Sequence, residues 1–172
     1  LSSGLHSPKY IQCSKLLSFP HLAKKICESL AKKIKKNFKK IDMILAPAIG
    51  GIIIGYEIGK ILKKETIFCE RVNGKFKLRR GFKIKKKSKV LIVEDVITTG
   101  KSSMECAKLI KRSNASIIGF AALIDRSIKK NLKIKKKIIS HLKIKVQTYN
   151  KNRLPKNLKL LPITTPGSRF IK

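Results

Sequence analysis

The chain's pattern predicts an α/β fold, with a central parallel sheet covered by helices on both faces. Three observations carry this expectation. Short, nearly continuous apolar runs such as MILAP, KVLIV and ASIIGFAALID read as buried strands, and segments with helical spacing alternate with them. The third observation is size: 172 residues, 42% of them hydrophobic, are enough for a single domain, 1–172, with a substantial core.

Taken in order, LSSGLHSPKYIQC is polar and punctuated by Gly and Pro, so it is expected to be extended or looped. Pro20 suits the first turn of a helix. Ala23, Ile26, Cys27, Leu30, Ala31 and Ile34 follow at three- and four-residue spacing and give that helix one buried face. MILAPAIGGIIIGYEIGKIL reads as a short strand, a Pro-Gly-Gly loop and a helix. TIFCERVNGKFKLRRGF reads as strand, turn and strand, because Asn73-Gly74 is a strong hairpin signal. KVLIV is a buried strand, followed by a loop and a helix from about Ser102 to Lys111. ASIIGFAALID and LKIKVQTY supply further strands. Residues 128–139, rich in Lys and Ile, read as a solvated loop or a poorly ordered crossover, and LPITTPGSRF as irregular surface chain.

Charge is lopsided: 42 Lys and Arg against 9 Asp and Glu give +33. Phosphate neutralisation on a nucleic acid is one explanation. The lysines, however, are scattered through nearly every segment, and aromatics, at 6%, are not interleaved with them as stacking platforms would be. Solvated lysine-rich faces are therefore the favoured reading, and no nucleic-acid partner is expected. The same field still draws anionic ligands inward. Cys13, Cys27, Cys69 and Cys106 are widely separated, which argues against a zinc site or a disulfide framework. No apolar run approaches the roughly 20 residues of a membrane-spanning helix, so no membrane partner is expected. The opening at Leu1 carries no signal-peptide pattern; it suggests a missing N-terminal stretch, with the cytoplasm as default location.

The chemistry concentrates in VLIVEDVITTGKSS, Val90 to Ser103. Glu94 and Asp95 follow the strand Val90–Val93, at a carboxyl end where open α/β sheets bind ligands. Thr98 to Ser102 then bring backbone N–H groups and hydroxyls to a helix N-terminus, a phosphate cradle. The GKS within this run also ends the P-loop pattern GxxxxGK(S/T). Counting back from Gly100 puts Asp95 where that pattern needs its first glycine, and a carboxylate there repels phosphate, so the nucleotide-triphosphatase reading fails on this count. A ligand with both a phosphate and a sugar diol satisfies both halves of the motif. The plainer alternative is an acidic cap solvated near the helix start.

This run closely resembles the phosphoribosyl-pyrophosphate signature of the type I phosphoribosyltransferases. Other stretches are similar to the orotate phosphoribosyltransferase family: LSSGLHSPKYIQC to its substrate-covering segment, APAIGGIIIGYEIG to its pyrophosphate loop, FCERVNGKFKLRRGF to its mobile loop, LIDRS to an orotate-binding strand end, and more weakly PGSRF. The resemblance implies the type I phosphoribosyltransferase fold, with a small hood from the N- and C-terminal segments (residues 1–16 on the N-terminal side) and a mobile catalytic loop over 68–82. It implies transfer of ribose 5-phosphate from phosphoribosyl pyrophosphate to orotate, giving orotidine 5-phosphate and pyrophosphate in pyrimidine synthesis. The implied phosphoribosyl pyrophosphate site is Ile49, Gly50, Arg71, Lys75, Glu94, Asp95, Val96, Ile97, Thr98, Thr99, Gly100, Lys101 and Ser102. Arg71, Lys75 and Asp95 would be catalytic. Tyr10, Ile11, Thr98 and Arg126 would bind orotate. Mg2+ would be held mainly through substrate oxygens, with no metal site of the protein's own, and the enzyme would be a homodimer.

Two positions depart from the family pattern. Ser2 stands where many members place a lysine, and the loop offers Arg71, Lys75, Lys77, Arg79 and Arg80 without the usual histidine. The alternatives are a nucleic-acid-binding regulator of the same fold and a purine phosphoribosyltransferase.

Overall fold

Proline at the first turn and apolar residues on one stripe explain the longest helix of the computed structural model, which describes residues 5–164. This helix, α2, spans Pro20–Asn37 and buries Ala23, Cys27, Leu30, Ala31 and Ile34, the stripe expected from the spacing. A short helix the sequence reading did not anticipate, α1 (Cys13–Leu17), precedes it. The residues divide into two compact units. Among the described residues, 13–144 form one, and 5–12 with 145–164 form the other. Helix α1 belongs to the larger unit.

The larger unit is built on a six-stranded sheet. Its strands are β1 (Met43–Pro47), β2 (Glu65–Val72), β3 (Lys75–Lys77), β4 (Lys89–Ile97), β5 (Ser116–Asp125) and β6 (Ile138–Lys143), in the order β3-β2-β1-β4-β5-β6. All neighbours pair in parallel except β2 and β3. That antiparallel pair turns at Asn73 and Gly74, with φ of 50° and 74°, the double positive φ that an Asn-Gly hairpin turn requires. Helix α3 (Gly50–Leu62) connects β1 to β2, and α4 (Lys101–Arg112) connects β4 to β5.

Strand alternation sorts the core into two layers. Met43, Leu45, Val90 and Ile92 face one side and pack with Cys106, Ala107 and Ile110 of α4. Ala46 and Val93 meet α3 on the other side, at Gly55 and Gly51. All four cysteines are buried and free. The Cys69 and Cys106 sulfurs lie 3.3 Å apart, and their hydrogen bond, with burial, pushes the Cys106 thiol far up, so it stays protonated.

The last strand differs from expectation. LKIKVQTY was expected to be a strand, yet β6 is IISHLK, and the ladder with β5 closes where the Ile144 N–H meets the Asp125 carbonyl. Tyr149 instead makes an isolated antiparallel bridge to His6 within the terminal unit, with both backbone bonds at 2.9 Å. Residues 128–139 contain a 3-10 turn at Lys129–Asn131, with Ile134 buried, and run into β6 at Ile138.

Ile54, fully buried on α3, reports on this packing. Ile54→Ala should cost about 2–5 kcal/mol of stability, read as a lower urea midpoint at an unchanged slope.

Candidate active site

The chain winds away from the β1/β4 pair in opposite directions, since α3 leads outward to β2 and α4 outward to β5. Such a reversal leaves a crevice beyond the carboxyl ends of the two strands, where ligands bind. Three segments converge there. The first is Ala48, Ile49 and Gly50 after β1, with a cis peptide between Ala48 and Ile49. The second is Thr98 to Ser102 after β4, and the third is Arg126 after β5.

Strand β4 continues through Ile97, so Glu94 and Asp95 are part of it rather than following it, and adjacent strand residues face opposite sides. Glu94 lies on the α4 side, 7% exposed, and accepts a hydrogen bond from the hydroxyl of Ser103 in the first turn of α4. Asp95 lies on the α3 side, against Gly50. A β-carbon on Gly50 would collide with the Asp95 carboxylate, so glycine is what lets the β1–α3 loop approach it. The acids expected to act as a pair are therefore divided, with Asp95 in the crevice and Glu94 anchoring α4.

Asp95 accepts the Val96 N–H at 2.8 Å. Burial nevertheless dominates and raises its carboxyl above the ordinary 3.8. The charged form is held there at a cost, which hydroxyl donors from a ligand would offset.

The phosphate-cradle expectation maps onto the start of α4. Gly100, at φ 72°, is its N-cap and brings no capping side chain, and no acid occupies the first turn. Backbone N–H groups at such an end attract an anion. Thr98 and Thr99 are half-buried beside them, and the Thr99 hydroxyl oxygen accepts the Lys101 N–H at 3.4 Å. Ile49 is 77% exposed at the lip, leaving its backbone approachable. Arg126, 4% exposed, is fixed by its N–H donating to the Ile97 carbonyl at 2.8 Å, which ties the β5 end to the β4 end.

Arg71 is engaged elsewhere. Its guanidinium pairs with Glu105 of α4 at 2.7 Å, donates to the Gly74 carbonyl at 2.6 Å and lies 4.1 Å over the Phe76 ring. Lys75 is exposed just past the hairpin turn. Arg80 pairs with Glu70 at 2.6 Å and Phe82 packs edge-on against Phe68, folding the chain after β3 back onto β2. The expected mobile loop 68–82 therefore begins inside β2, where Phe68 pairs with Ala46 and Cys69 with Pro47. Tyr10 and Ile11 belong to the terminal unit. Ser2 and PGSRF lie outside the described residues.

Two participants escaped the sequence reading. Ser103 is a fully buried polar residue on the same helical face as Cys106, Ala107 and Ile110, and that break in an apolar stripe was its signal. Glu105, the partner of Arg71, had none. A solvent-open groove at Tyr56, Lys60, Lys63 and Thr66 lies at the far end of α3 from Gly50 and does not join the crevice.

Among the described residues no group of three His, Cys, Asp or Glu side chains gathers. The crevice offers one carboxylate beside a phosphate cradle. That donor set suits magnesium, which binds through one or two carboxylates plus substrate phosphates.

Fold and crevice together are those of a type I phosphoribosyltransferase. The phosphoribosyl transferase domain model matches residues 16–152. An orotate phosphoribosyltransferase of Parvibaculum lavamentivorans is 44% identical over 172 residues, covering 99% of this chain and 88% of the relative. One of Carboxydothermus hydrogenoformans is 41% identical, covering 98% and 88%. Among solved structures, orotate phosphoribosyltransferase from Aeropyrum pernix superposes with a TM-score of 0.70 at 20% identity, covering 84% of each chain. Adenine phosphoribosyltransferase from Saccharomyces cerevisiae gives 0.67 at 19%, covering 83% and 96%. The structural likeness carries the fold, and the sequence likeness carries the rest. The chain belongs to the orotate phosphoribosyltransferase family.

Asp95→Asn gives a pH-dependent test. A carboxyl raised in the fold contributes stability that is complete below its unfolded pKa and lost as pH rises through its folded pKa. The Asn variant lacks this loss. Its melting temperature should therefore gain on wild type as pH climbs from about 4 toward neutrality, while turnover collapses. Parallel melting curves across that range would contradict the burial of Asp95.

Proposed function

We propose that this protein transfers ribose 5-phosphate from phosphoribosyl pyrophosphate to orotate, releasing pyrophosphate and orotidine 5-phosphate. The carrying observation is Asp95 set against Gly50 at the β1/β4 crevice, next to the N-terminus of α4. In this reading the 5-phosphate takes the N–H groups of Thr98 to Ser102, and Asp95 accepts hydrogen bonds from the ribose hydroxyls. Pyrophosphate approaches the Ile49–Gly50 backbone, which only a residue without a side chain permits. Arg126 grips the orotate carboxylate, the bidentate partner a guanidinium favours.

The ribose–pyrophosphate bond loosens before the new bond is complete, so positive charge grows on the sugar and negative charge on the leaving oxygens. The protein acts by positioning and by electrostatics prepared in advance. Magnesium, held through substrate oxygens with Asp95 the nearest protein carboxylate, would neutralise the leaving pyrophosphate. Orotate arrives as an anion and needs no dedicated base. The net charge of +33 favours arrival of both anionic substrates.

We place the reaction in a homodimer, in the cytoplasm; among the described residues no helix is long and apolar enough to cross a membrane. Lys75, exposed at the hairpin, would reach the neighbouring subunit's crevice. Arg71 would join it only by leaving Glu105, and in this structure its role is to brace the hairpin on α4.

Loss of orotate absorbance with phosphoribosyl pyrophosphate and magnesium tests the reading. Turnover with adenine or hypoxanthine and none with orotate would contradict it. For the dimer, Lys75→Ala and Asp95→Asn proteins should each be nearly inactive, and a refolded mixture should regain activity neither has alone. A mixture that stays inactive would show that Lys75 serves its own subunit's site.

A further inference from the structure

The crossover from β5 to β6 is the segment that composition marks as the least structured, with Lys129, Lys130, Lys133, Lys135, Lys136 and Lys137 all exposed. Ile128 is exposed with them, but the other two apolar residues, Leu132 and Ile134, behave differently. Ile134 is 5% exposed and joins the core cluster under α4, and Leu132 packs against the same cluster. Both side chains lie over Gly100. A β-carbon at Gly100 would come within 2.7 Å of Ile134 Cγ1, 2.8 Å of its Cδ1 and 3.6 Å of Leu132 Cδ1. Between them the Lys133 N–H donates to the Thr99 carbonyl at 2.9 Å. The turn between β4 and α4 is thus held from outside by one backbone bond and two apolar side chains.

We infer that Leu132, Lys133 and Ile134 form a brace that fixes the phosphate-binding turn, with Ile134 its main positioning residue. Gly100 then has two reasons to lack a side chain. Its φ of 72° disfavours one, and the Ile134 side chain fills the space one would need. The Thr99 carbonyl takes its hydrogen bond from an amide of the crossover, so the turn's shape depends on where the crossover lies. A turn made of amides binds an anion well only if the amides already converge, and apolar packing supplies that order without placing a competing charge near the phosphate. The brace touches neither sugar nor base, so its effect falls on phosphate affinity.

This rests on the phosphoribosyl reading of the crevice, and two readouts separate them. Amide hydrogen exchange of the full-length protein without ligand reports the brace alone. Ile134→Ala should speed exchange over Thr99–Ser102, while the β1 and β5 amides keep their wild-type rates, and Ile134→Val, which retains most of the contact, should restore protection. Steady-state kinetics report the consequence. Ile134→Ala should raise KM for phosphoribosyl pyrophosphate on the order of tenfold, short of the hundredfold that a misplacement of about 1 Å can bring. Its kcat and KM for orotate should stay near wild type. Leu132→Ala should shift the same KM in the same direction and by less. Unchanged exchange at Thr99–Ser102 in Ile134→Ala would overturn the brace. Faster exchange with an unchanged KM would remove its role in phosphate binding. Equal losses in every parameter, unrescued by Ile134→Val, would reduce Ile134 to a packing residue. A wild type that protects the turn but turns over no orotate would sink the functional reading and leave the brace standing.

Discussion

A carboxylate pressed against a glycine at the point where the sheet's winding reverses is the constraint on which the rest depends. Asp95 needs β4 to run on through it to Ile97, β1 to lie alongside, and a residue without a side chain at the start of α3. Each condition fixes something else. The β1–β4 pairing sets the crevice, Gly50 sets how closely the β1–α3 loop approaches, and burial makes Asp95 a charge in want of donors. A sugar's hydroxyls are suitable donors, because they bring no competing charge and leave the adjoining helix terminus to a phosphate.

Much of this arrangement was legible before any coordinates. Pro20 marked a helix start, Asn73-Gly74 a hairpin, and the alternation of oily runs with helical stripes a parallel sheet. The acidic run next to a Thr-Gly-Lys-Ser turn located the crevice. Legibility failed where one pattern has two solutions. From Leu142 to Gln147 apolar and polar residues alternate strictly and read as a strand, but Ile138, Ile139, Ser140 and His141 do not alternate, so the pattern misses where the strand begins. Pairing of Phe120 with Ile138 decides that, and it is a long-range contact. Glu94 and Asp95 look like a pair in sequence because adjacency suggests proximity. Strand geometry sends them to opposite faces, and the serine that receives Glu94 lies on another element.

The charge imbalance has a similar lesson. The few acids sit where the fold uses them: Asp42 on the Lys89 N–H, Glu70 on Arg80, Glu105 on Arg71, Asp125 on the Ser127 N–H. The lysines have been free to accumulate on solvated faces. Even the most basic stretch holds two apolar residues whose task is structural, and composition conceals it. Arg71 shows the converse, since a cation in the right segment need not face the ligand. A guanidinium lying over Phe76 and paired to Glu105 serves the hairpin first.

A crystal grown with phosphoribosyl pyrophosphate and magnesium tests the central claim most directly. The account expects the ribose hydroxyls on the Asp95 carboxylate, the 5-phosphate at the amides of Thr98 to Ser102, and pyrophosphate at the Ile49–Gly50 backbone. The same compound bound elsewhere, with Asp95 still half-buried against Gly50 and making no contact to it, would contradict the account.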